Sequence, residues 1–282
     1  MMNITMIGFR CLVLAMFVFG ASVPATAGDG KIFTLAVIPS APPVTLYTQW
    51  IPFAERLSRK TGVEFRLKLY EKMAEFERDI WSGAPDFIFA SPIQTVVAHQ
   101  RHRYVPFIRG GNLISVGLIV RKDSDIRTIY DLHGKTISFV GNKNLCSVFV
   151  RHMLSEQKEK VSFASENAGS TRNVIKRVLL GKSAAGAVFI PELEREPAET
   201  REQLLSIIET PKIAPHPLSA HPRVPREVRD MVKKVVLEMA ATKEGAELLK
   251  TVRLAAPVSA DYARDYQSLE VIDIKGLTDW GQ

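Results

Sequence analysis

Residues 131–149 read DLHGKTISFVGNKNLCSVF. The stretch opens as a turn ending on Gly134 and runs through KTISFV as a buried strand. It then crosses the polar loop Gly141-Asn142-Lys143-Asn144 into the first turn of a helix. A strand entering a helix through such a loop directs unpaired backbone N–H groups, with the positive end of the helix dipole, at one spot. That spot suits an anion or a polar small molecule.

The same alternation continues in both directions. Upstream, KIFTLAVI, VEFRLKL and DFIFA have strand character, while TLYTQWIPFAERLSRKTG and KMAEFERDIWSG carry apolar residues at helical spacing and stop at Gly62 and Gly83. SPIQTVVAHQRH reads as a helix opened by Ser91 as cap, with Pro92 at its first position. Beyond NLISVGLIVRK a second set begins: KTISFV, NLCSVFVRHMLSEQ, KVSFA, STRNVIKRVLLG, AAGAVFI and LLSIIET, strands and helices in turn. This is an α/β chain whose strands are joined by crossover helices.

PKIAPHPLSAHPRVPREV follows, with prolines at 211, 215, 217, 222 and 225. It is expected to be an extended crossover, neither regular helix nor central strand. Helical patterns then span Arg226 to Ala241 and Lys243 to Val252. The simplest arrangement has two lobes: residues 28–117 with 213–282, and residues 118–212. No internal repeat or low-complexity segment interrupts it.

The N-terminus, MMNITMIGFRCLVLAMFVFGASVPATAGDG, places Arg10 before an apolar run and then Ala25-Thr26-Ala27. It reads as a secretory signal peptide, residues 1–27, cut after Ala27. Its apolar run of about eleven residues is short of the roughly 20 a spanning helix needs. Cys11 does not stand where a lipid-attachment cysteine would, so the expected product is free in the periplasm and not embedded in the membrane. With the segment removed, Cys146 is the remaining cysteine and no intramolecular disulfide is possible. The formal charge falls from +7 to about +6, in keeping with anionic ligands or with plain surface charge. Lysines and arginines are scattered without interleaved aromatics, which argues against nucleic-acid binding.

WIPFAERLSRKTG, FERDIWSGAPDFIFASPIQTVVA and LIVRKDSDIRTIYDLHGKTISFV together resemble the periplasmic binding proteins of phosphonate, phosphite and phosphate ABC transporters. VIKRVLLGKSAAGAV, TKEGAELLK and DYARDYQSLEVID resemble later landmarks of that family in the same order. The resemblance implies the class II periplasmic binding protein fold, two α/β lobes joined by a two-segment hinge. It also implies an exported protein, acting as a monomer, that delivers a small anionic ligand to an inner-membrane ABC permease without enzymatic activity, cofactor or metal. Several gripping positions differ from the family pattern. Its Ser-Thr-Ser run falls on Asn144, Leu145 and Cys146, followed by Ser147; its His falls on Thr171, its Asp on Ala184 and its cleft-helix Tyr on Thr95. These replacements imply a ligand less charged or more apolar than a phosphonate.

The candidate ligand-binding residues are Ser40, Ser91, Thr95, Asn142, Lys143, Asn144, Leu145, Cys146, Ser147, Ser170 and Thr171. Three helix starts should converge, at Ser91, Asn144–Ser147 and Ser170–Arg172, with Lys143 or Arg172 to neutralise an anion. Helix capping by itself also accounts for Ser91, Asn144 and Ser170. A sensory or accessory binding module without transport is the alternative, and an enzyme using Cys146 a third reading, lacking a base nearer than His152. His99 and His102 could flank a metal, but flanking arginines make surface histidines the better reading. His133, His216 and His221 are expected in turns or solvent, and Trp50, Trp81 and Trp280 in packing. No phosphate-binding Gly-rich loop, nucleophile elbow or zinc-protease helix appears.

Overall fold

The computed structural model describes residues 31–273. The signal segment, its cut after Ala27, and Trp280 lie outside the described residues.

The first lobe begins with β1 (Ile32–Val37), α1 (Pro43–Thr61), β2 (Glu64–Lys68) and α2 (Met73–Trp81). It continues through β3 (Phe87–Phe89), α3 (Pro92–His102) and β4 (Val105–Arg109). The second lobe holds β5 (Val116–Arg121), β6 (Lys135–Phe139), α4 (Leu145–Ser155), β7 (Phe163–Asn167), α5 (Thr171–Leu179) and β8 (Ala185–Phe189). Short α6 (Ile190–Leu193) and α7 (Ala198–Arg201) then lead to β9 (Leu204–Glu209). The chain returns to the first lobe as β10 (Pro217–Ala220), α8 (Arg226–Ala240), α9 (Lys243–Thr251), β11 (Val258–Ser259) and α10 (Tyr262–Asp265).

Periodicity explains these elements. In α1, Leu46, Trp50, Phe53, Ala54 and Leu57 recur at intervals that place them on one buried face, and burial of each large side chain stabilises by roughly 1.5 to 3 kcal/mol. The helix stops at Gly62, whose φ of 73° is the left-handed conformation that terminates a helix. β1 lies between β2 and β3, all parallel, with Leu35 opposite Leu67 and Phe87.

The first sheet has the order β11-β4-β10-β3-β1-β2 and the second β7-β6-β8-β5-β9. Two segments pass between them, residues 110–115 and 210–216, joined by an antiparallel bridge between Ile114 and Ile213. β3 and β4 run alike, as do β6, β7 and β8, so their carboxyl ends face the space between the lobes, where open α/β sheets bind ligands.

The proline-rich passage departs from its expected form. Pro217–Ala220 is an interior strand, β10, hydrogen-bonded to β3 and β4. Proline is tolerated because Pro217 is the strand's first residue, and the register shifts between Leu218 and Ser219. Pro225 sits at the N-cap of α8, outside the helical ladder.

One apolar cluster fills the first lobe, from Phe33 through Leu254. A second joins Ile93 and Val96 of α3 to Leu145, Cys146 and Phe149 of α4 and to Tyr266 and Leu269 near the C-terminus. Here the two lobes share a core. The C-terminal segment fastens that junction: Tyr266 donates its hydroxyl to the Pro215 carbonyl at 2.8 Å, and Arg109 pairs with Asp265 at 3.2 Å.

Candidate functional site

Two of the predicted helix starts meet across the cleft. Ser91 caps α3 reciprocally with Gln94: the Gln94 N–H donates to Ser91 Oγ at 3.2 Å, and the Ser91 N–H donates to Gln94 Oε1 at 3.1 Å. Gln94 Nε2 donates to Glu77 Oε1 at 3.2 Å, and Lys143, arriving from the second lobe, donates to Glu77 Oε2 at 3.1 Å. The Glu77 side chain is 3% exposed and that of Lys143 34% exposed. Lys143 therefore neutralises a buried carboxylate of the opposite lobe, and the anion-neutralising role expected of it is taken by this internal partner.

The remaining predicted residues mostly serve the protein itself. Thr95 is buried and its hydroxyl donates to the Ser91 carbonyl at 2.9 Å. Asn144 caps α4, accepting from the Cys146 N–H at 2.9 Å, and Asn142 accepts from Arg151 at 3.5 Å. Leu145 and Cys146 belong to the apolar cluster shared by the lobes. Ser147 is fully buried, and its Oγ has no hydrogen-bond partner among the described residues. Burying a hydroxyl that way costs about 1 to 3 kcal/mol.

The third helix start is capped within its own helix. Ser170 caps α5 at the Asn173 N–H, 3.2 Å away, and Thr171 is half-buried. Arg172 points to solvent and sits 3.7 Å from Glu196. Ser40 is exposed just beyond β1, its N–H donating to the Ile38 carbonyl at 2.8 Å.

Cys146 lacks the surroundings of a nucleophile. Burial pushes its thiol well above the usual range, and the Glu192 charge adds in the same direction. His99 and His102, expected at the surface, are half-buried instead. Each ring donates to a backbone carbonyl, His99 to Tyr104 at 2.8 Å and His102 to Trp81 at 2.7 Å, and His99 stacks on Tyr262 at 3.5 Å. No cluster of three or more His, Cys, Asp or Glu able to hold a metal occurs among the described residues. None of the described helices is long and apolar enough to cross a membrane.

A cavity of about 630 Å³ lies between the lobes beside the hinge. Its walls come from 110–114 after β4, 189–195 after β8, 215–216 before β10 and 250–255 at the end of α9. The last of these walls is strained: Arg253 and Ala256 adopt φ of 62° and 46° without being glycine. Such a conformation costs on the order of 1 to 3 kcal/mol per residue and persists only where surrounding structure imposes it. The imposing structure is the Gly110-Gly111 pair. Gly111 donates its N–H to the Ala255 carbonyl at 3.0 Å, and a Cβ on Gly111 would collide with the Ala256 carbonyl oxygen.

His216 corrects another expectation. Its ring, half-buried, stacks on Phe89 at 5.6 Å and borders the cavity. Burial, reinforced by the Arg253 charge, holds its pKa down at about 3, so it is neutral at pH 7. Arg253 keeps accessible surface although protein surrounds it closely enough to disfavour its charged form, because what it exposes faces the cavity.

Glu77 was legible in part. Met73, Phe76, Glu77 and Ile80 lie at helical spacing on one stripe of α2, and an acid on an apolar stripe marks a buried partner. The cavity residues carry no such local mark, since they come from four separate chain segments.

The comparisons with known proteins agree with this fold. The family described as ABC transporter, phosphonate, periplasmic substrate-binding protein matches residues 35–266. A protein from Xanthomonas citri bound to ATP superposes with a TM-score of 0.75 at 16% identity, covering 89% of this chain and 99% of that one. PhnD1 from Prochlorococcus marinus, in complex with methylphosphonate, gives 0.70 at 16% identity, covering 88% and 98%. A putative periplasmic sulfonate-binding protein, SsuA from Methylobacillus flagellatus, gives 0.53 at 18% identity, covering 81% and 74%. These likenesses establish the two-lobed class II fold. No curated protein matches the sequence. The family match spans both sheets, both hinge segments and the helix starts that face the cleft, and the chain belongs to the periplasmic phosphonate-binding proteins of ABC transporters.

Proposed function

We propose that this protein captures a small organic anion between its two lobes in the periplasm and delivers it, as a monomer, to an inner-membrane ABC permease. Solute capture for ABC transport is the role of its family. The anionic class of ligand, carrying a phosphonate- or phosphate-like oxyanion or a related acid group, is the finer reading. The interlobe cavity of about 630 Å³, within the roughly 300 to 1,000 Å³ of small-molecule sites and walled by both lobes and both hinge segments, supports a small ligand, and Lys250, Arg253 and Arg195 on its walls support an acidic one. A ligand touching both lobes binds the closed form more tightly than the open one, and the permease then selects the closed form. The leader ending at Ala27 supplies export.

Thermal unfolding of the protein purified from the periplasm of an expression host tests this reading against phosphonates, phosphite, phosphate, sulfonates, carboxylates and amino acids. A ligand present at a thousand times its Kd adds about 4 kcal/mol of stability and raises the midpoint visibly. A raised midpoint with acidic ligands, together with stimulation of the permease ATPase by the loaded protein, is the expected outcome. Binding without ATPase stimulation would favour a sensory or accessory module.

A further inference from the structure

The hinge-side cavity has a distinctive charge. Lys250 and Arg253 enter it from the first lobe and Arg195 from the second, with Glu192 and Glu194 on the same wall as Arg195. Arg195 and Arg253 have no side-chain hydrogen bond or ion pair among the described residues, and Lys250 has only an exposed pairing with Glu247 at 3.9 Å. By contrast, Lys143 at the helix mouth is already bound to Glu77. Arg172, at the start of α5, is 83% exposed beside Glu196, whereas three cations stand together on the walls beside the hinge.

Apolar surface completes the cavity: Phe189, Pro191, Leu113 and Pro215 line it together with the uncharged ring of His216. A bare tetrahedral oxyanion fills only a small part of a space of about 630 Å³ and leaves these walls without contacts. The left-handed backbone at Arg253 and Ala256 is a second, independent observation. Close approach of the Gly110-Gly111 segment holds that turn in place and presents Arg253 to the cavity.

We infer that this cavity is the specificity site, and that it selects an organic anion with an apolar body, whose acid group sits between Arg253, Lys250 and Arg195 while its body lies against Phe189 and Pro191. The inference rests on the solute-capture reading and names its ligand class. Glu192 and Arg195 already act on the Arg253 charge in opposite senses, and an anion between the two arginines relieves the repulsion across the lobes. Ligand charge and lobe closure are coupled in that way.

Isothermal titration calorimetry of the protein purified from the periplasm, with phenylphosphonate and methylphosphonate as probes, tests the site. Phenylphosphonate is expected to bind at least about tenfold more tightly than methylphosphonate, since its ring covers the apolar walls. Arg253→Gln is expected to weaken phenylphosphonate by about tenfold or more, as loss of a charge-assisted contact does. Lys250→Gln carries the same expectation should Arg253→Gln fail to fold, and Lys234→Gln, on the exposed face of α8, removes a charge without effect. Unchanged phenylphosphonate affinity in Arg253→Gln and Lys250→Gln would overturn the site. Equal binding of both probes, insensitive to either substitution, would also end it while leaving solute capture intact. Failure of the unmodified protein to bind phenylphosphonate would end the assignment of this ligand class, whereas solute capture is judged separately by the ATPase response of the permease.

Discussion

Lys143 Nζ in the second lobe lies 3.1 Å from Glu77 Oε2 in the first, and the two side chains differ about tenfold in exposure, 34% against 3%. The pair is unequal, and its inequality gives a directional prediction. Removing Lys143 leaves a buried carboxylate held only by Gln94, which costs about 3 to 5 kcal/mol, whereas removing the acid lets Lys143 reach solvent. Lys143→Met should therefore destabilise the protein in urea more than Glu77→Gln does, and the double variant should recover much of the loss. A Lys143→Met protein no less stable than Glu77→Gln would show that Glu77 is not held by this contact. Small-angle scattering should show both single variants shifted toward the open form.

Cys146 is expected to resist alkylation. It is fully buried in the cluster the lobes share, and burial keeps it in the unreactive thiol form. Brief iodoacetamide treatment at neutral pH should leave the native protein unmodified, while the same treatment in denaturant modifies it completely. Rapid modification of the native protein would reopen the nucleophile reading.

Acid should weaken the fold from near neutrality downward because of His216. Its pKa is held at about 3 in the folded chain against about 6.5 when unfolded, so between those values the unfolded state binds a proton the folded state does not. Stability is fully present above about pH 6.5 and falls by up to roughly 1.4 kcal/mol for each pH unit below it, until about pH 3. His216→Gln should flatten that slope, leaving a smaller contribution from His221, which burial and Arg223 also lower. Urea titrations at pH 7, 6, 5 and 4 measure the difference, and identical slopes would refute the neutral imidazole at the cavity wall.

Gly111→Ala should destabilise by about 1 to 3 kcal/mol, because the new methyl meets a backbone carbonyl that cannot rotate away. Gly141→Ala is the matching control, since no atom lies within 4 Å of a Cβ there. Comparable losses of unfolding midpoint in the two would indicate that the 253–256 turn yields easily.

The sequence by itself determined the two α/β lobes, the strand-to-helix entries at Ser91, Asn144 and Ser170, and the family to which they belong. Those features depend on interactions a few residues apart: apolar spacing along α1, Ser91 with Gln94 across one turn, Asn144 with the Cys146 N–H. Proline chemistry misled only where position within the element mattered, at Pro217, harmless as the first residue of β10. Tertiary structure alone decided what the cleft offers a ligand. Lys143 and Glu77 are 66 positions apart, and Arg195, His216 and Arg253 converge from three segments after the chain has crossed the hinge twice. A local pattern specifies which face of a helix is buried. The way one lobe is set against the other specifies which charges end up neutralised and which remain free.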